Sequence, residues 1–222
     1  MKKALPRSAA ARSLFIVALI LYISVPVLAG SAPDSESAVE KIQKAYGNIK
    51  DIKGSFVQKS FIKDLKRTDT FRGTFMIKLP SKMKWQYGGG GKHTEVIIDN
   101  DELLIYQKDE KQVLKGRFDR GSYGQAPIAL LGGFGSIKNE FEASEKDGRL
   151  FLKPRKPMGN VASIEIVPSE GEFPIGSLLI TDKRSNRIEI TLKSVTVNTG
   201  IKDSAFAFPV PKGVSVYEYN QP

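Results

Sequence analysis

Two hydrophobic periods divide the chain. Val39, Ile42, Tyr46 and Ile49 recur at spacings of three, four and three, which makes one stripe of a helix apolar up to about Asn48. Ser37-Ala-Val-Glu40 heads that helix with a capping-box sequence, in which serine and glutamate side chains satisfy each other's backbone N–H groups. From Gly54 the period changes to two. Residues 54–61, 70–78, 83–87, 95–98, 103–107 and 112–115 alternate apolar with polar and predict strands. Turn-rich pieces at 88–91, 99–102 and 108–111 separate them. The alternation lapses at Ala126-Pro-Ile-Ala-Leu-Leu131, which opens with Pro and closes with Gly132-Gly133 and so predicts one or two helical turns. Strands resume at 141–144, 149–152, 162–167, 176–182 and 187–197. The closing stretch, 205–219, carries prolines that confine it to an edge or to irregular structure.

Roughly eleven strands with one long helix predict a mainly β fold: a single domain built on a curled antiparallel sheet, with the sparse helical segments covering its apolar face. The face in question is clearest in GTFMIKLPSKMKWQY. Phe75, Ile77 and Leu79 share one phase, and after the Pro80-Ser81 break Met83, Trp85 and Tyr87 share another, including the only Trp in the sequence. Such a face is covered either by the protein's own core or by a hydrocarbon ligand.

The amino terminus changes where this fold must work. Lys2, Lys3, Arg7 and Arg12 form a basic start, an apolar run follows from 14 to 28, and Val27-Leu28-Ala29 places small residues ahead of a cut. Residues 1–29 are therefore expected to be a removed signal peptide, leaving 30–222 as the exported domain. An uncleaved anchor is the rival, but the run is short and Pro26 sits near its end. Ser31 stands where a lipidated Cys would be needed and the chain has no Cys, so neither a lipid anchor nor a disulfide is available. Removing 1–29 lowers the formal net charge from +10 to +6, which suits solubility and contact with anionic surfaces.

Candidate chemistry is sparse. His93 is the only His, so neither a catalytic triad nor a transition-metal site is expected. Gly91-Lys92 hints at a phosphate loop, but Gln86 and His93 occupy the positions that need Gly and Ser or Thr. Asp99-Asn-Asp-Glu102 lacks the ligand ladder and glycine of a calcium loop and reads as a hairpin turn. Basic residues are spread along strands without an aromatic platform, so no nucleic acid partner is expected. No enzyme, cofactor or metal is predicted.

Gly54-Ser-Phe-Val-Gln58, the 73–87 hairpin, Ile98-Asp-Asn-Asp-Glu-Leu-Leu-Ile-Tyr106, Pro127-Ile-Ala-Leu-Leu131 and Phe206-Ala-Phe-Pro-Val-Pro-Lys-Gly-Val214 resemble, in order, the outer-membrane lipoprotein carrier protein family of the bacterial periplasm. The resemblance implies an incomplete, half-open β-barrel with an N-terminal helix and a short helical lid. It implies a monomeric periplasmic chaperone that takes acylated lipoproteins from an inner-membrane ABC transporter to an outer-membrane receptor lipoprotein. Carried over by position, Phe75, Ile77, Leu79, Met83, Trp85 and Tyr87 would line the acyl-chain cavity, and Pro127, Ile128, Leu130 and Leu131 would belong to the lid. One position departs: familiar members usually carry an Arg at the place of Leu79, bonded to the lid. With Leu79 there, the empty lid is expected to be held mainly by packing of Ile128, Leu130 or Leu131. A carrier of another lipid and an exported structural or signalling β domain with a packed interior remain the alternatives.

Overall fold

A computed structural model describes residues 37–88, 93–119, 127–132 and 134–218. The expected signal peptide at 1–29, the glycines at 89–91 and the side chains of Pro127 and Ile128 lie outside the described residues. The capping box forms as the sequence predicts. Ser37 Oγ accepts from Glu40 N, and Glu40 Oε2 accepts from Ser37 N, each at 3.3 Å. Helix α1 (Ala38–Asn48) then runs to its expected end and buries Val39, Ile42 and Tyr46.

Among the described residues twelve strands follow: β1 (Asp51–Ile62), β2 (Arg67–Lys78), β3 (Lys82–Gly88), β4 (Thr94–Asp99), β5 (Glu102–Gln107), β6 (Gln112–Arg117), β7 (Phe141–Lys146), β8 (Arg149–Pro154), β9 (Val161–Pro168), β10 (Ile175–Asp182), β11 (Arg187–Val197) and β12 (Ser215–Glu218). They form one sheet in the order β12-β6-β5-β4-β3-β2-β1-β11-β10-β9-β8-β7. All pairs are antiparallel except β12 with β6. The outermost strands, β12 and β7, are not neighbours, so the curled sheet stays an incomplete barrel.

Two differences from the sequence pattern have local causes. β1 begins three residues before Gly54 because Ile52 finds partners on both sides, Ile77 of β2 and Val197 of β11. The register then slips between Lys53 and Ser55, and Ser194 of β11 takes a φ of +50°. The segment before β7 is more helical than its sequence suggests. A 3-10 helix (Pro127–Gly132) occupies the expected place, but a second (Phe134–Ser136) and a short helix α2 (Ile137–Glu140) continue it.

One face of the sheet closes around a core from β1 (Ile52, Phe56), β2 (Phe75, Ile77), β3 (Met83, Trp85), β4 (Val96, Ile98) and β9–β11 (Ile164, Ile166, Leu178, Ile180, Ile190). Leu130, Leu131, Phe134 and Ile137 enter the same cluster from the helical segment, beside Ile42 and Tyr46 of α1. Ile97 and Val113 fall on the opposite strand phase and are nevertheless buried. The chain after β11 crosses that outer face. Its 3-10 turn (Asp203–Phe206) lies against β3 and β4, the Phe208 ring sits 5.1 Å from Tyr106, and β12 closes on β6.

Candidate functional site

The hairpin that carries the expected cavity residues is held in strict register: Phe75 lies opposite Trp85, Ile77 opposite Met83, and Gly73 opposite Tyr87. Period two therefore puts Phe75, Ile77, Met83 and Trp85 on the interior face, where each is at most 4% exposed. Leu79 and Tyr87, at the two ends of the hairpin, are half-buried and pack against that cluster. Leu79 N donates to the Lys50 carbonyl at 2.9 Å, so the turn after β2 is tied to the start of β1. All six residues thus share one surface.

The helical segment roofs this surface. Leu130 and Leu131 are buried, and the segment packs on β3. The fit is close at Gly132: a Cβ built there would come within 2.2 Å of the Met83 methyl. Beside the packing expected to hold the segment mainly in place, one hydrogen bond ties it. Tyr46 Oη, on α1, donates to the Leu131 carbonyl at 2.8 Å. The Tyr46 ring is itself clamped, edge-on to Phe134 at 6.5 Å and tilted against Phe173 at 5.7 Å. Burial pushes its phenol well above the usual range, so it stays a neutral donor. Residues 126–135 (APIALLGGFG) carry no side-chain acceptor, and the Leu131 carbonyl supplies one from the backbone instead. Ion pairing adds a surface tie, Lys138 Nζ to Glu40 Oε1 at 2.9 Å.

Toward the Tyr87 end the interior becomes polar. Tyr87 Oη donates to Gln58 Oε1 at 3.2 Å, and Gln58 Nε2 donates to Ser60 Oγ at 3.0 Å. The Tyr87 ring lies edge-on to Phe56 at 5.4 Å and to Phe71 at 6.0 Å. Burial pushes its phenol up to about 12, partly offset by the neighbouring Trp85 indole. Phe71 is 42% exposed, so the interior surface, buried at Ile77 and Met83, opens near Phe71. Outside the sheet, a groove of about 400 Å³ lined by Lys59, Phe61, Arg149, Glu165, Leu179 and Arg187 includes none of the expected residues.

Sequence reasoning missed Tyr46 and Gln58 as site residues. Gln58 carries a signal that was readable: it sits two residues after Phe56, a polar residue on the apolar phase. Tyr46 does not, because a tyrosine on a helix stripe gives no sign of the carbonyl 85 residues away that it reaches.

Comparison with known proteins places this geometry in a family. The family model described as "Outer membrane lipoprotein carrier protein LolA" matches residues 47–209. The chain is 27% identical over 205 residues to an outer-membrane lipoprotein carrier protein of Neisseria meningitidis, covering 89% of this chain and 96% of that protein. It is 28% identical over 207 residues to one from Halorhodospira halophila, covering 93% and 94%. Among solved structures, an uncharacterized conserved protein from Thermus thermophilus aligns with a TM-score of 0.50 at 8% identity, over 82% of this chain and 97% of that one. The chain belongs to the outer membrane lipoprotein carrier family.

Proposed function

We propose that this member of the outer membrane lipoprotein carrier family binds the acyl chains of lipoproteins inside its curled sheet and ferries them through the periplasm to the outer membrane. The observation that carries the reading is what fills the interior. The apolar face of β3 is met by a separate connection, Pro127–Gly132, which packs on it without pairing to any strand of the sheet and puts Leu130 and Leu131 into the core. A covering of that kind can leave without breaking a ladder of backbone hydrogen bonds, and Leu130, Leu131 and Gly132 occupy the space that a hydrocarbon chain would take.

The magnitudes fit a removable cover. A 14-carbon chain gains on the order of 10 kcal/mol gross at about 0.8 kcal/mol per buried methylene. At about 25 cal/mol per Å² that corresponds to roughly 400 Å² of apolar surface per chain. Left bare, such a surface equals the largest apolar patch of an ordinary soluble monomer, about 300–600 Å². The empty protein therefore needs its own side chains there, and cargo displaces them. Delivery then proceeds by exchange, without catalysis: an inner-membrane ABC transporter loads the carrier and an outer-membrane receptor lipoprotein unloads it. Export by a signal peptide cut near Gly30 puts the protein between the two.

Titration of the protein lacking residues 1–29 with a triacylated lipopeptide and with the same peptide unacylated tests the reading. Saturable binding of the acylated form alone, with a change in Trp85 fluorescence, is the expected result. Equal or absent binding of the two peptides overturns it. Mass spectrometry of what co-purifies from periplasm separates cargoes, since free lipids without acylated proteins would assign the carrier to another lipid.

A further inference from the structure

We propose that the interior contains a polar subsite for the carbonyl of an ester- or amide-linked acyl group, with the Trp85 indole N–H as its donor and the Tyr87–Gln58–Ser60 chain beside it. The subsite rests on the carrier reading, which brings acyl chains into the sheet, and goes beyond it by assigning which part of the cargo is recognised there.

Trp85 is 1% exposed, and its Nε1 makes no hydrogen bond among the described residues. An indole has one donor and no acceptor, so nothing else on the ring compensates. Buried donors are nearly always satisfied in folded proteins. An orphan on the wall of a space read as a ligand site points to an acceptor that arrives with the ligand. The neighbouring Tyr87 hydroxyl does not fill that role: it lies close enough for the indole to ease its ionisation, yet the pair forms no hydrogen bond of acceptable geometry. The Tyr87 hydroxyl donates to Gln58 Oε1 and the Gln58 amide donates to Ser60 Oγ, so a polar chain runs beside the indole.

The placement of these groups supports the same chemistry. Trp85 lies opposite Phe75 on one side and Val96 on the other, among apolar partners. Two residues along the same strand face, the surface turns polar at Tyr87, Gln58 and Ser60, near the exposed Phe71. A ligand entering from that end with its hydrocarbon pointing inward would bring its linkage carbonyls to the border between the two zones. A carbonyl oxygen accepts from the indole; a polyisoprenoid or alkyl chain has no acceptor and leaves the N–H orphaned. The shared chemistry is an acyl carbonyl, supplied by an acylated protein amino terminus or by a glycerolipid.

Because Trp85 is the only Trp, a ¹⁵N-indole label gives one resonance for the test. The protein without residues 1–29 is titrated with a diacylglyceryl lipopeptide, its dialkyl-ether counterpart and diacylphosphatidylglycerol. The expected result is a downfield shift of the indole proton with the diester lipopeptide and none with its ether counterpart, whether or not diacylphosphatidylglycerol also shifts it, and binding about two- to tenfold tighter than the ether, the range of one neutral hydrogen bond. Trp85→Phe should erase that preference while retaining binding of both. A shift with diacylphosphatidylglycerol but not with the lipopeptide also supports the subsite and makes a glycerolipid its source. Equal affinities with an unmoved indole resonance overturn the subsite and leave the carrier reading standing, and this holds on the wild-type protein even if Trp85→Phe fails to fold. Binding of none of the three overturns both.

Discussion

At the residue scale, the interior tolerates little change where backbones meet. Gly73 of β2 lies opposite Tyr87, and a Cβ there would sit 2.0 Å from the Gln86 carbonyl oxygen and 2.8 Å from the Phe56 ring. The first of these is backbone and cannot rotate away. Gly73→Ala should therefore lower stability by about 2 kcal/mol or more, the range of a strained core substitution, measured as a shift in the urea midpoint. A midpoint unchanged within error would mean that β2 and β3 can separate locally, and the register of the whole hairpin would be in question. Gly132 meets the Met83 methyl instead, the flexible end of a side chain. Gly132→Ala should accordingly cost much less in the same measurement. The contrast between two glycines of one region tests whether the tight fit is rigid at the wall and yielding at the cover.

At the scale of elements, the strap after β11 depends on one carboxylate. Asp51, 4% exposed at the head of β1, accepts from Thr199 N and Oγ1 at 2.8 and 2.9 Å, Gly200 N at 2.9 Å and Ile201 N at 3.3 Å. Desolvation pushes this carboxyl up, but the hydrogen bonds from Thr199, Gly200 and Ile201 outweigh it and leave it below the usual carboxylate range. A depressed pKa contributes stability that is present above the unfolded value, near 3.8, and lost as pH falls through the folded value. Wild type should therefore lose stability below about pH 4. Asp51→Asn should be less stable near neutrality and show a flatter acid limb in urea titrations at stepped pH. Parallel acid limbs would remove Asp51 from this role. The same stretch shows how far the sequence could be read. α1, its capping box and eleven of the strands follow from periodicity, because each is encoded by neighbours in the chain. β12 was legible only as an edge, since its parallel pairing with β6 follows from the path of the strap, whose turn at Asp203–Phe206 lies against β3 and β4, rather than from its own residues. The 3-10 turn Phe134–Ser136 and α2 went unread for a similar reason: Phe134 and Ile137 are helical because they reach a core built mainly by the sheet.

At the scale of the whole molecule, the proposed carrier function has cover and cargo competing for one surface, and under it whatever stabilises the closed state weakens binding. A protein that binds only from its open state has an apparent affinity reduced by the open fraction. The Tyr46–Leu131 hydrogen bond belongs to the closed state, joining α1 to the cover, with Leu79 offering only contact area. Tyr46→Phe keeps the ring that packs on Phe134 and Phe173 and removes the donor alone. A typical buried hydrogen bond contributes about 1 kcal/mol net. The empty variant should therefore be less stable to urea by about that amount. If opening breaks the bond, the same loss should raise the apparent affinity for a lipopeptide roughly fivefold, because 1.4 kcal/mol is a factor of ten. Opposite signs for stability and affinity are the signature of a latch. A residue that merely supports the fold would lower both, and a fall in affinity with Tyr46→Phe would show that the cover keeps its bond to α1 when cargo enters.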